Sequence, residues 1–427
     1  LEPSSRGEQT IAVQFAQRLG GGATMRGTGE GGYDSEANGR LDGYSSLQEA
    51  VSQTDELDAI VKQPLLPRGP GDEGRNGHRR NLSFGALCFI IYYSIGVPFG
   101  DEEAIKAAGP LLVTLAFTVV LPIVWQIPIC LVTAELTTTF QQDHRGSIGW
   151  VEEAFGPLWG LIDAIWSIMT SFLDNAMFPV IAADYLGLTG VARWSLVYTS
   201  IWVMSYLSYR GFEAVGRVEE VIFFLTMLPF TVMICAGVPQ MRWANFAVPA
   251  FDDVHWSLFV QIIFWTSTYW QKVASLGPEV KDCSRTFPRA IITATLMQAV
   301  INGVIHMVAA GATDPALYSS WVPGYLSLAA DAIVGGSWLG AWLTAMAATA
   351  NSGSFLSEMS ITSETLLGMA ERGVFPRALA TTISPYGTPT LAVAITAAAV
   401  AAAQPLNFDI LVVTCNLLYV LQTALEL

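Results

Sequence analysis

Ser94-Ile-Gly-Val-Pro-Phe-Gly-Asp-Glu-Glu-Ala-Ile-Lys-Ala-Ala-Gly109 sets glycines, a proline and three consecutive acids inside what is otherwise an apolar run of membrane-spanning length. In hydrocarbon every backbone N–H and C=O needs a protein partner, so a non-helical break at membrane depth persists only where it is buried or lines a cavity. Half-helix ends at such a break can hold ions or polar substrates. Gly96 to Gly100 therefore reads as the floor of a transport site.

Working outward, the composition is that of a membrane protein. Of 427 residues, 52% are hydrophobic and 13% charged, whereas a soluble domain carries about 25% charged residues. Residues 1–80 are rich in Gly, Ser, Asp, Glu and Arg without sustained apolar periodicity, and read as a disordered tail. Within this tail, Gly27-Thr-Gly-Glu-Gly-Gly32 satisfies GxGxxG, but no strand precedes it, so no dinucleotide cofactor is expected. The net charge of −15 comes without clustered Lys and Arg, which excludes a nucleic-acid partner. Cys88, Cys130, Cys235, Cys283 and Cys415 are scattered singly and read as small apolar residues, not as a disulfide or metal framework. No HExxH, GxSxG or clustered His/Asp set suggests an enzyme or a metal centre, and no repeated filter residues suggest a channel.

From residue 81 onward the chain is a series of spans, about ten in all. The first five fall at Leu82 to Ala107 (broken), Leu111 to Phe140, Leu158 to Leu186, Ser195 to Tyr209 and Val218 to Val238. The next five fall at Trp256 to Val280 (broken), Ala290 to Ala312, Ser337 to Met369, Leu391 to Ala403 and Phe408 to Leu425. The sixth span is interrupted at Phe264 to Lys272 and again at Gly277-Pro278. Matching breaks in the lead helices of two halves indicate an inverted-repeat transporter, here residues 82–238 and 256–427. With the tail inside, one set of ends carries Arg75, Arg79, Arg80, Arg145, Arg210, Arg217, Lys281, Arg285, Arg289, Arg372 and Arg377. The other carries Lys106, Arg193 and Arg242. The positive-inside bias thus puts the N-terminus in the cytoplasm.

Several stretches then match a known family: Gly96-Val-Pro-Phe-Gly-Asp-Glu-Glu103, Val132-Thr-Ala-Glu-Leu136, Glu153-Ala-Phe-Gly-Pro-Leu-Trp-Gly160, Asp174-Asn-Ala-Met-Phe-Pro179, Tyr269-Trp270, Gly277-Pro-Glu-Val280, Ser284-Arg-Thr-Phe-Pro288, Leu367-Gly-Met-Ala-Glu-Arg-Gly373 and Tyr386-Gly-Thr-Pro389. In order and spacing they resemble the amino acid, polyamine and organocation transporter superfamily, most closely its polyamine-uptake branch. The resemblance implies an all-α integral membrane fold of two five-helix inverted repeats with broken first and sixth helices. Members usually have twelve spans, so it also implies C-terminal helices missing from this chain. At Thr266, Thr268 and Gln271 the chain departs from the branch, which has asparagines at the first two and an aspartate at the third. Lys272 adds a positive charge, which weakens the case for a di- or tricationic substrate.

The candidate substrate-binding residues are Gly96, Val97, Pro98, Phe99 and Gly100 of the first break, with Glu102 just after it. They continue with Asp174 and Asn175 in the third span and Trp265, Thr266, Thr268, Tyr269 and Trp270 of the second break. Glycines let a ligand approach the backbone, and aromatic faces attract ammonium groups. Asp174, a lone carboxylate at mid-span, reads as a cavity or proton-relay residue or as a structural acid; Glu102 and Asp174 are the candidates for coupling. Asp163, Asp184 and Glu135 are expected to snorkel or bond at helix ends, His306 to be a hydrogen-bonded core residue, and Asn351 and Ser354 to permit packing or face the cavity. Tyr419 is a candidate for closing the cavity, and Lys272 either enters it or pairs with an acid such as Glu102. The expected activity is secondary active transport of polyamines or amino acids by alternating access, coupled to protons, in the plasma membrane. An amino-acid exchanger or a transporter-like nutrient sensor is the alternative.

Overall fold

The computed structural model describes residues 82–141, 143–247, 253–382, 386–406 and 408–426. The tail and its GxGxxG stretch lie outside them. Among the described residues the ordered elements are helices, with one isolated bridge between Leu82 and Val280.

Helix α1, Phe84–Ile95, starts where the Ser83 hydroxyl accepts the Ala86 N–H, and ends at Gly96. Its 12 residues reach about 18 Å, too short for the roughly 30 Å of hydrocarbon. The span is completed beyond the break by the first turns of α2, Glu103–Leu115, which kinks at Gly109 before Pro110. Proline lacks a donor and disfavours helical geometry in the residue before it, which accounts for the kink. The chain continues through wide π-helical turns at Ala116–Val120 and Pro122–Gln126 into α3, Ile127–Thr139.

A short α4 (Ser147–Phe155) leads into α5 (Pro157–Tyr185), α6 (Gly190–Tyr209) and α7 (Phe212–Gly237). Then α8, Trp256–Trp265, stops at the second break, and a 3₁₀ segment, Lys272–Glu279, resumes the span. The remainder is α9 (Cys283–Ala312), α10 (Tyr325–Val334), α11 (Trp338–Glu371), α12 (Thr390–Ala403) and α13 (Phe408–Glu426). The span reading omits α4 and α10. At 9 and 10 residues neither crosses a bilayer, so neither gives a spanning signal.

Among the described residues, four helical stretches are long and apolar enough by themselves to cross a membrane: Glu103–Thr139, Pro157–Tyr185, Phe212–Gln240 and Cys283–Ala312. Their outward faces carry exposed apolar side chains such as Val124 and Phe224, the pattern lipid contact requires. The packing centre is α5, which lies against α11 and α13, while α1 is enclosed by α7, α9 and α11. The first broken element therefore sits inside the bundle, while α8 packs against α2 and α13.

Candidate functional site

Each break is held open by specific bonds. In the first, the Phe99 N–H closes a three-residue turn on the Val97 carbonyl at 2.8 Å, around Pro98, which has no donor to give. Gly96 and Gly100 take φ of 139° and 93°, conformations that other residues adopt only at a cost. In the second break, Thr266 and Thr268 turn their hydroxyls back onto α8, Thr268 reaching the Trp265 carbonyl at 2.8 Å. Two freed carbonyls are met from outside: Gln298 donates to Thr266 at 2.8 Å and Trp125 to Ser267 at 3.1 Å. Gln298 in turn accepts from Gln126 at 3.0 Å. Tyr269 is held at φ 72°, an outlier for a bulky residue of the kind that collects at functional sites.

The breaks face one another. A Cβ built on Gly96 would lie 3.9 Å from the Thr266 carbonyl oxygen, and one on Gly100 would lie 3.5 Å from the Trp265 ring. Between them is a narrow cleft of about 20 Å³, room for little more than a water molecule. The first break lines it with Ser94, Ile95, Gly96, Val97 and Phe99, and the second with Trp265, Thr266 and Tyr269. Asp174 and Phe178 of α5 and Asn351 of α11 complete the wall.

The remaining candidates stand behind this wall. Glu102 is fully buried and accepts from three donors: the Gly100 N–H at 2.9 Å, the Gly324 N–H at 3.2 Å and the Tyr185 hydroxyl. Asn175 joins α5 to α11 through Thr362 at 3.2 Å, and the Trp270 indole closes on the Ser267 carbonyl at 3.1 Å. Pro98 and Thr268 shape their breaks, and Ser354 is buried in the helix packing. Asn351, by contrast, lies on the wall.

Asp174 is not a lone carboxylate. Lys272, at the start of the 3₁₀ segment, places Nζ 3.5 Å from Asp174 Oδ2 and 3.3 Å from Glu358 Oε2, and 3.9 Å over the Tyr269 ring centre. All three charged side chains are buried. Lys272 thus does pair with acid, but the partners are Asp174 and Glu358, not Glu102. Glu358 lies seven residues beyond Asn351, two turns along the same face of α11, and that spacing was the available signal. The Tyr269 hydroxyl meets Cys415 Sγ at 2.7 Å, and Tyr419 donates to Gln271 at 2.9 Å while packing edge-on against Tyr269 at 4.8 Å. Helix α13 therefore covers the second break.

Two further expectations change. His306 is a buried, hydrogen-bonded residue, its Nδ1 2.8 Å from the Asn302 carbonyl oxygen, but its Nε2 also lies 3.2 Å from Asp101, next to the first break. Asp163 does not snorkel: it is fully buried, within electrostatic reach of Glu426. Glu135 is exposed, and Asp184 is an exposed partner of Arg193. Beyond α3, Arg145 grips Asp143 through Nε at 2.9 Å and Nη2 at 2.6 Å and also pairs with Glu152. Burial favours the neutral acid, but the Arg145 guanidinium overrides it and holds the Asp143 carboxyl below its usual range. Near this clamp His144, Glu279 and Glu364 bring ligand-capable atoms within 4.8 Å of one another.

The family model for amino acid permeases matches residues 82–424. A probable polyamine transporter of Arabidopsis thaliana is 36% identical over 354 residues, covering 81% of this chain and 70% of the relative. Polyamine transporter RMV1 from the same plant is 37% identical, covering 80% of this chain and 70% of its own length. Polyamine transporter PUT1 of rice, Oryza sativa subsp. japonica, is 35% identical, covering 84% and 68%. With its helical bundle and lipid-suited apolar faces, this chain belongs to the amino acid permease family and is a multi-pass membrane transporter, not an enzyme.

Proposed function

We propose that the chain moves small organic amines or amino acids across a membrane by alternating access around the cleft between the two breaks. The observation that carries this reading is the facing of two unwound segments across a narrow, mostly apolar cleft with a carboxylate, Asp174, on its wall. Half-helix ends and a carboxylate at mid-bundle are groups that can meet the ammonium of an amine or amino acid. In this reading Gly96, Val97, Phe99, Thr266 and Tyr269 contact the substrate, and Trp265 closes the wall toward Gly100. Residues 82–238 and 256–427 act as the two repeats, rocking around the site with the N-terminus in the cytoplasm and the protein in the plasma membrane. Proton coupling falls to Asp174, the acid beside the cleft; Glu102 keeps the first break in shape. The relatives named as polyamine transporters support an amine-bearing substrate.

The test is uptake of radiolabelled leucine, arginine, putrescine and spermidine into proteoliposomes, with and without an acid-outside pH gradient. Uptake of at least one, raised by the gradient, is expected. Flux only into vesicles preloaded with substrate would identify an exchanger, and saturable binding without flux would identify a sensor and overturn the transport reading.

A further inference from the structure

The charge of the cleft is set by three side chains whose contacts are mutual. Asp174, on the wall, and Glu358, behind it, each offer a carboxylate oxygen to the same ammonium, Lys272 Nζ, at 3.5 and 3.3 Å. The Tyr269 ring is the third neighbour of that ammonium, at 3.9 Å, presenting its electron-rich face. Two carboxylates, an aromatic face and exclusion from water are the features by which proteins recognise an ammonium ligand. Here the place is filled by the chain's own lysine.

The consequence follows from counting charge. With all three groups ionised the cluster carries one net negative charge. The other wall residues, among them Ser94, Thr266 and Asn351, are neutral. One substrate ammonium balances the cluster, but each further ammonium would enter a low-dielectric cleft beside Lys272 with no carboxylate left to meet it.

We propose that Lys272 is a built-in cation that sets substrate charge: the cleft accepts substrates with a single ammonium, such as neutral amino acids, and rejects di- and tricationic amines. This rests on the reading of the cleft as the transport site. It narrows that reading, because sequence likeness to polyamine transporters does not by itself distinguish the two substrate classes. Lys272 acts here as a specificity-determining residue.

The experiment compares labelled leucine and spermidine uptake in the same proteoliposomes, for the full chain and two variants. Lys272→Arg keeps the cation. Lys272→Met removes the resident cation and leaves two carboxylates, Asp174 and Glu358, to meet substrate ammonium groups. The native protein is expected to favour leucine and Lys272→Arg to retain that preference, while Lys272→Met should raise the spermidine-to-leucine ratio by about tenfold or more. Competition of unlabelled spermidine against leucine on the native protein provides a measurement that needs no variant, and weak competition is expected. Spermidine competing as well as leucine itself, or an unchanged ratio in a Lys272→Met variant that still transports, would overturn the inference and leave the transport reading standing. Uptake of neither class by the native protein, nor of arginine or putrescine, would overturn both.

Discussion

Replacing Glu102 by alanine separates two roles for that acid, capping the break and carrying protons. The carboxylate is fully buried and is the acceptor for the Gly100 N–H, the Gly324 N–H and the Tyr185 hydroxyl. Alanine leaves the buried Tyr185 hydroxyl and the half-enclosed Gly324 N–H without their acceptor, while the Gly100 N–H keeps the Tyr185 oxygen at 3.2 Å. The enclosed hydroxyl costs about 1–3 kcal/mol. Relief of the carboxylate's own burial cost offsets part of this, leaving about 1–2 kcal/mol of destabilisation. Tyr185→Phe removes a donor and keeps the acceptor, so it should cost only about 1 kcal/mol. The two changes should be non-additive by more than about 0.5 kcal/mol, because they share one hydrogen bond. Thermal unfolding of purified protein in detergent, followed by size-exclusion recovery of folded protein, reads all three variants. An alanine variant as stable as the native protein that loses only the pH dependence of uptake would refute the capping argument and return Glu102 to the coupling role.

The break glycines predict a graded series. Gly96→Ala meets no atom closer than 3.9 Å, so its cost is backbone strain alone, about 1–3 kcal/mol, with reduced uptake. Gly100→Leu adds bulk beside the Trp265 ring and should eliminate uptake, and normal transport by both variants would place the site elsewhere. Arg145→Ala removes the bidentate grip on Asp143 and should lower stability by about 2 kcal/mol. Because Asp143 is held below its usual range, the contribution of this clamp is present above the unfolded acid's pKa and is lost as pH falls through the folded value. Native and variant unfolding temperatures should therefore converge in acid, and a constant difference would count against the clamp.

The breaks were legible because their signals are local. Gly96, Pro98 and Gly100 cannot continue a helix cheaply, and Trp265 to Lys272 interrupts an apolar run with hydroxyls and an amide. What the breaks do with each other was not local. The partners of Glu102 come from 83 and 222 positions away, and Glu358 stands 86 positions from Lys272. No periodicity carries such pairings, so Asp174 reads from sequence as solitary and Lys272 as free to choose between cleft and helix end. The mistaken expectation for Asp163 has a related cause. Nearness to a helix end suggests water, but α13 packs along α5 and seals that end with Glu426 close by. Helix α10 escaped notice because ten residues of apolar sequence fit neither a span nor a loop.

Asp174→Asn tests the central claim most directly. It keeps the shape of the side chain at the wall, and Lys272 retains Glu358 at 3.3 Å, so the protein should still reach the membrane. The measurement is the initial rate of uptake against external pH, in proteoliposomes of matched protein content. The labelled substrate is whichever of leucine, arginine, putrescine and spermidine the native protein carries fastest. The account predicts that the variant loses uptake or loses its pH dependence. The same rate and the same pH profile in the asparagine variant would contradict it, because the cleft between the two breaks would then not be where substrate and proton meet.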